Sequence, residues 1–455
     1  MGVLLLALGV FCACNGAQTT VGERASRYLG ELVRIDTSNP PGNETRVARW
    51  LERIAKEEDI PYELLGADPE RLNFVARLRG TGKQRALLLM AHTDVVPADA
   101  ARWSVPPFAG EVREGWLWGR GAIDDKALLA AHLAVMVELK RRAVKLERDI
   151  ILLGEADEES GSTGIQWLRE NAWSSIDAEF ALTEGGFIAE MPSGRRIYHV
   201  QTCEKIPTRA ILRAHGTSGH GSLPLRDNPV VTLSRAITRL AETEQPVRLN
   251  NITRRYFVAL SKIEEYRWLA PLLPRLGRQQ TAMMAAHAIG ERDPQLEAQL
   301  RTSISPTMLQ AGVRINVIPG TAEAHLDIRR LPDETAEEVM ARLRRAIHDS
   351  TLEVLPAPGQ TMPAAKPSSS DSRLYKRMEE VLLKASPGAL VTPYMQAGAT
   401  DGAFLRERGV DVYGVPLFLR ESGRGRAHGD DERISIAAME AGTELLYGIV
   451  LAAGR

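Results

Sequence analysis

Four carboxylates, Glu155, Asp157, Glu158 and Glu159, crowd one short stretch of "LLGEADEES", directly behind an apolar strand. Like charges at that density repel, so the segment is either a solvated turn or a site that neutralises them with metal. Upstream, "LLLMAHTDVVP" ends another apolar run with His92 and Asp94, which at i and i+2 share one face of a strand. A lone His-x-Asp is a weak signal. "WGRGAIDDKALLAAH" places Asp124 and Asp125 at the mouth of a helix, where capping of free N–H groups is the simpler reading when taken alone. "ALTEGG" closes a further strand with Glu184, and "GRAHGDDERIS" adds His428 in a polar loop, unremarkable by itself. The recurrence decides more than any single motif. Three successive strands end in His or acidic residues, and Asp124 opens the helix between the first two. In open α/β sheets, ligands bind at the carboxyl ends of the strands. Two His and three carboxylates form the ligand set of a two-metal site. Zinc accepts imidazole nitrogen and carboxylate oxygen, and ions about 3.5–4 Å apart share a bridging carboxylate.

The elements that must position these residues alternate. Residues 22–35 place Tyr28, Leu29, Leu32 and Val33 at helical spacing, and a second helix carries Val47, Trp50, Leu51 and Ile54. Strand-like "NFVARL" and "ALLLMAH" follow, then a helix over 126–142, the strand "DIILLGE", the helix "IQWLREN" and the strand "AEFALTEGG". That order predicts an α/β layer with a largely parallel sheet. From about Lys205 the texture changes. "TRAILRAHG" and "AEAHLDIRRL" alternate like half-exposed strands, each followed by a helical stretch, at 229–242 and 334–348. This predicts a smaller α+β unit inserted between two halves of the α/β domain. Expected boundaries are 1–20 for a signal, 21–204 and 356–455 for the catalytic halves, and 205–355 for the inserted lid. Within the lid, 245–310 is a long excursion with Tyr256, Phe257, Tyr266 and Trp268, read as extra helical packing or as an acyl-chain or partner surface.

With 455 residues the chain has room for two or three domains, and 57 basic against 58 acidic residues leave no electrostatic reason to bind nucleic acid. The run Val3 to Ala13 is apolar, of signal-peptide length and too short to span a bilayer, although no basic residue precedes Arg24. The expectation is export, to the periplasm or cell envelope or as a secreted protein. Cys14 stands where a lipoprotein would be acylated. Of three cysteines, Cys12 and Cys14 lie in this segment, so Cys203 has no disulfide partner in the folded body.

Eight motifs occur in a family order: "AHTDVVP", "GRGAIDDK", "EADEES", "TEGG", "GHGSLP", "INVIPGTAEAHLDIR", "GATDGAF" and "HGDDERI". From about Gly22 to the end the chain resembles the co-catalytic zinc peptidases, which include glutamate carboxypeptidase, aminoacylase, acetylornithine deacetylase and succinyl-diaminopimelate desuccinylase. The resemblance implies a phosphorylase/hydrolase-like α/β catalytic domain, a lid through which many relatives dimerise, and two Zn2+ per subunit, with Co2+ or Mn2+ as substitutes. It makes His92 a ligand of one zinc and His428 of the other, with Asp124 bridging both. Glu159 completes the His428 side and Glu184 the His92 side. Asp125 follows a peptide bond that is cis in relatives. Asp94 orients the His92 imidazole, and Glu158 is the catalytic carboxylate that moves the proton. His220 matches a lid histidine that reaches the zinc site, often from a neighbouring subunit, to stabilise the oxyanion. Asn316 and Arg329 match lid positions that help hold a substrate carboxylate. Glu155 and Asp157 have no catalytic part in the pattern and are expected to be supporting or solvated.

The aromatic excursion is absent from the compact deacetylases, and with "TEGGF" it resembles the yeast carboxypeptidase S and N-fatty-acyl amino acid hydrolase branch. Cys203 stands where small residues are usual and is expected to be a buried structural thiol. The leading expectation is a di-zinc hydrolase of an amide bond to an amino acid with a free carboxylate, of the metallocarboxypeptidase or dipeptidase type. N-acyl amino acid hydrolysis or deacetylation is the alternative. A non-catalytic binding protein on the same fold is the reading from a different class, although no ligand and no base is missing.

Overall fold

Leu87 to His92 is an unbroken buried strand, and its alternation sets the architecture. Leu87, Leu89 and Ala91 face one hydrophobic layer, Leu88 and Met90 the opposite one. Ile150 and Leu152 against Ile151 and Leu153 repeat the division on the neighbouring strand. A strand buried on both faces needs helices on both sides, and this is why the run is continuously apolar. Truncating Leu88 to Ala would cost about 2–5 kcal/mol.

The computed structural model describes residues 19–358, 362–419 and 426–455. The expected signal run, with Cys12 and Cys14, lies outside the described residues. Among the described residues the central sheet has nine strands. Along its main path they run Tyr62–Leu65, Asn73–Leu78, Ile150–Glu155, Leu87–His92, Phe180–Thr183, Asp411–Gly414, Arg196–Glu204 and Leu390–Gln396, with Phe187–Glu190 pairing Arg196–Glu204. The four strands from Ile150–Glu155 to Asp411–Gly414 are mutually parallel, whereas Asn73–Leu78 and Arg196–Glu204 join this group antiparallel. The sheet is therefore mixed. The "largely parallel" expectation describes its centre, where crossover helices connect the strands.

Val21–Val33, Lys126–Arg141 and Ile436–Ala453 supply one helical layer. The first of these opens with a capping box between Thr20 and Glu23. Ile436–Ala453 is long and apolar enough to cross a membrane, but Met439, Leu446, Ile449 and Val450 are buried in this layer. Thr163–Asn171 and Gly402–Glu407 cover the other face.

A second, antiparallel sheet has the order Ser303–Ala311, Thr321–Arg330, Ile206–His215, Leu352–Pro356. Pro229–Glu242 and Ala336–Ile347 pack Leu233, Leu240, Val339 and Leu343 against it. The stretch between these elements forms helices that include Asn251–Leu260 and Gln279–Gly290. Their core of Tyr256, Phe257, Leu260, Ala286 and Ile289 closes on Ile197, Leu390 and Tyr394 of the central sheet. This excursion covers the Leu390–Gln396 edge of the catalytic sheet. Cys203 is buried beside Ile252, Leu331 and Met395, and burial pushes its thiol up to about 12.

Candidate metal centre

His92 ends its strand directly opposite Glu155 and is almost wholly buried. Its Nδ1 lies 2.9 Å from the Asp94 main-chain oxygen and 3.5 Å from the Asp94 carboxylate. That leaves Nε2 to face the site, 3.0 Å from Asp124 Oδ1. The other oxygen of Asp124 lies 3.2 Å from His428 Nε2, which is also 3.0 Å from Glu159 Oε1. One carboxylate thus spans two imidazoles that are 336 positions apart in the chain (428 minus 92). Glu158 and Glu184 join His92 in a second group whose ligand atoms lie within 4.8 Å of one another, as do those of His92, Asp124 and Glu159.

The donor set fits divalent cations. Asp124, Glu158, Glu159 and Glu184, all half-buried, face two imidazoles among the described residues, so negative charge is in surplus. Burial, then the Asp124 charge, pushes Glu184 up to about 8. Burial and the Glu184 charge hold Glu158 well above the ordinary carboxylate range. His428 is pushed up to about 10 by Asp124 and Glu159. Two cations placed among these groups would supply the missing positive charge, and mixed imidazole and carboxylate donors suit zinc.

The turn Asp157–Glu159 is held by a buried network. Asp94 accepts the main-chain N–H groups of both Glu158 and Glu159 at 3.1 Å, so it fixes the acidic turn as well as the imidazole. The Asn39 side chain donates to Asp94 and to Asp157, 2.8 Å each. Asp157 also receives Arg71 and Thr163. Neither Asp157 nor Glu155 is solvated: they are 2% and 1% exposed. The solvated alternative for these two acids is therefore removed. Glu155 faces Asp401 of "GATDGAF", which also accepts from Ser162, and burial raises both carboxyl pKa values.

Sequence reasoning also missed Glu432. Its buried carboxylate accepts from Arg120 at 2.6 Å and from the main-chain N–H groups of Gly121, Ile123 and Asp124 at 3.1, 2.7 and 3.1 Å. Glu432 thereby ties the segment of His428 to the loop of Asp124. The only signal available in the sequence was an acid four residues after a candidate ligand, which is too common to single out. The Asp124–Asp125 peptide bond is cis. Gly185 follows Glu184 with φ +94°, a conformation that strains any residue with a Cβ, and a Cβ there would also displace the Gln201 side chain.

The lid residues do not join the cluster among the described contacts. His220 is exposed, with Nδ1 2.7 Å from Ser222 Oγ. Asn316 is exposed, and its main-chain oxygen accepts from Gly221 at 2.8 Å. Arg329 donates to Asp327 at 3.1 Å. Beside this acidic cluster lies a cavity of about 350 Å³, lined in part by Asp124, Asp125 and Glu184. Trp116, Leu128, Phe187, Val415 and Phe418 contribute apolar walls.

The likeness to known proteins is consistent with this geometry. The chain is 30% identical over 453 residues to the N-fatty-acyl-amino acid synthase/hydrolase of Xenopus tropicalis, covering 93% of this chain and 85% of that one. For the human protein of the same name the identity is 29% over 445 residues, at 92% and 85% coverage. Among solved structures, a metallo-carboxypeptidase from Sulfolobus solfataricus superposes with a TM-score of 0.69 at 21% identity, covering 94% of this chain and 99% of that chain. Human carnosine dipeptidase 1 gives 0.67 at 17%, with 95% and 96% covered. Residues 88–452 match peptidase family M20/M25/M40, and the chain belongs to that family of metallopeptidases and amidohydrolases.

Proposed function

We propose that this protein is a di-zinc amidohydrolase that releases an amino acid with a free carboxylate from an N-acyl group. The observation that carries the reading is the cavity of about 350 Å³ beside Asp124 and Glu184, whose apolar walls are joined by Gln396, Arg426, Arg433 and Ser435. Such a lining suits an acyl chain or an apolar side chain, with a few polar groups fixing orientation. The names of the human and Xenopus relatives point the same way. Carboxypeptidase action is the second reading. It breaks the same kind of bond, and a relative from Dictyostelium discoideum, 26% identical over 80% of this chain and 71% of its own, is named a probable carboxypeptidase S-like protein.

His92, Asp124 and Glu184 would hold one zinc, and Asp124, Glu159 and His428 the other. When bound, the two ions polarise the scissile carbonyl and make water acidic enough to attack at neutral pH. Glu158 takes the proton from the attacking water and returns it to the leaving nitrogen. Asp94 keeps the His92 Nε2 turned toward the site and fixes the main chain of Glu158, so base and ligand share one support.

The lid completes the site in this reading. His220 stabilises the oxyanion from a second copy, and Asn316 and Arg329 bind the substrate carboxylate. Dimerisation through the lid is supported by its edge strand Ser303–Ala311, where Met308 is 52% and Leu309 66% exposed, and by Val313 and Ile315 beyond it. Export through residues 1–20, with acylation at Cys14, belongs to the same proposal and is checked by the intact mass of the cell-envelope form.

The test is hydrolysis of a panel of N-acyl amino acids and dipeptides, with chelator and with added zinc. Turnover that survives full metal removal overturns the mechanism. Preference for dipeptides over long-chain acyl amino acids selects the second reading. Light scattering of the purified protein reports the dimer.

A further inference from the structure

Phe187 stands three residues after Glu184, opens the strand Phe187–Glu190, and lines the cavity beside the metal cluster. Across the strand pair it is opposite His199, and the two rings stack 4.1 Å apart, 10° from parallel. Tyr394 meets Phe187 edge-on at 5.4 Å and His199 at 5.6 Å. Tyr256, buried on the helix Asn251–Leu260 of the 245–310 excursion, closes the group, with its ring 5.7 Å from His199 and 5.5 Å from Tyr394. The excursion thus reaches the cavity through two layers of rings.

We propose that the excursion is the specificity element of this cavity. Tyr256, acting through His199 and Tyr394, fixes the Phe187 ring and so sets the size of the acyl or side-chain group that is accepted. The inference rests on the reading of the cavity as the substrate site. The physical basis is close packing. A ring stacked on its back and wedged at its edge cannot retreat from a bulkier ligand without moving every ring behind it. Removing Tyr256 opens space behind His199, lets Phe187 swing back, and deepens the cavity. Tyr256 touches no ligand, so it is a positioning residue. Its effect should fall on KM for long groups and not on kcat.

The experiment uses zinc-loaded full-length protein as wild type, Tyr256→Leu, Tyr256→Phe and Phe187→Ala. Each is titrated calorimetrically with straight-chain carboxylic acids from acetate to dodecanoate, then assayed on N-acyl amino acids of matching chain length. Tyr256→Leu and Phe187→Ala should shift relative affinity toward longer acids by about tenfold, the scale of one or more methylenes in an apolar pocket. Tyr256→Phe, which keeps the ring, should retain the wild-type profile. An unchanged chain-length profile in Tyr256→Leu, or equal weakening at every length, overturns the proposal. Should Tyr256→Leu fail to fold, an unchanged profile in Phe187→Ala does the same. Length-dependent binding without hydrolysis of any acyl amino acid overturns the proposed activity alone, and the binding profiles still decide the inference. A wild type that binds no acid overturns both.

Discussion

Glu432 accepts the main-chain N–H of Asp124 at 3.1 Å, although 308 positions separate them. The same carboxylate takes Arg120, Gly121 and Ile123, and it lies four residues beyond His428. The bridging acid and the second imidazole are therefore set in register by one buried side chain. Glu432→Ala leaves the Arg120 guanidinium buried without its partner and should cost about 3–5 kcal/mol in stability. It should also weaken metal binding by about 10–100-fold, the usual loss when a group supporting the ligands is removed. Chelator-competition titration alongside thermal unfolding checks both. Unchanged metal affinity in a folded variant would show that Glu432 serves the fold alone.

Glu158→Gln should keep its two metals and lose about 10²–10⁴-fold in kcat, the scale of a general acid–base group. His92→Ala should lose metal as well as activity. Metal content by elemental analysis, set beside turnover, separates the two. The reverse pattern would exchange the assignments.

Without metal, stability should fall as pH rises. Glu184 is raised from 4.5 to about 8, so between these values the folded chain keeps a proton that the unfolded chain has lost. His428 is raised from 6.5 to about 10, so its contribution is complete below 6.5 and lost as pH rises through the folded value. Both signs agree. The chelated protein should melt lower at about pH 8.5 than at about pH 5.5, and zinc should flatten that dependence. Equal melting temperatures of the chelated form at the two pH values would contradict the charge crowding described for the cluster.

Asn39→Ala removes the amide that donates to both Asp94 and Asp157. Two buried carboxylates then lose a donor, each at about 1–3 kcal/mol. The turn carrying Glu158 and Glu159 should loosen, and activity should fall further than the unfolded fraction explains. Turnover per folded molecule, with denaturant unfolding as the measure of folded protein, checks this.

Much of the centre was legible because its chemistry is local. His92 follows five apolar strand residues, Glu158 and Glu159 follow another strand, and Glu184 follows a third, so sheet formation alone gathers them at one edge. The lid strands and their helices were legible through alternation and helical period. Less could be read where partners are remote. Glu155 and Asp157 looked as exposed as their neighbours until Asp401, Asn39 and Arg71 were seen to enclose them. The aromatic excursion could be read as extra helical packing or as an acyl-chain or partner surface, with no indication of the sheet edge it covers.

The sequence by itself determined which imidazoles and carboxylates stand at the strand ends, and the resemblance alone assigned Glu158 the proton-moving role. Residue type and period-two burial are properties of a short segment. Only the tertiary structure decided that each oxygen of Asp124 approaches one imidazole, that Glu432 ties its loop to the segment of His428, and that Asp94 also holds the acidic turn. It also decided that Tyr256 stands behind Phe187 through His199. These contacts join segments far apart in the chain, and they are set by which buried faces meet and which buried polar groups must find partners.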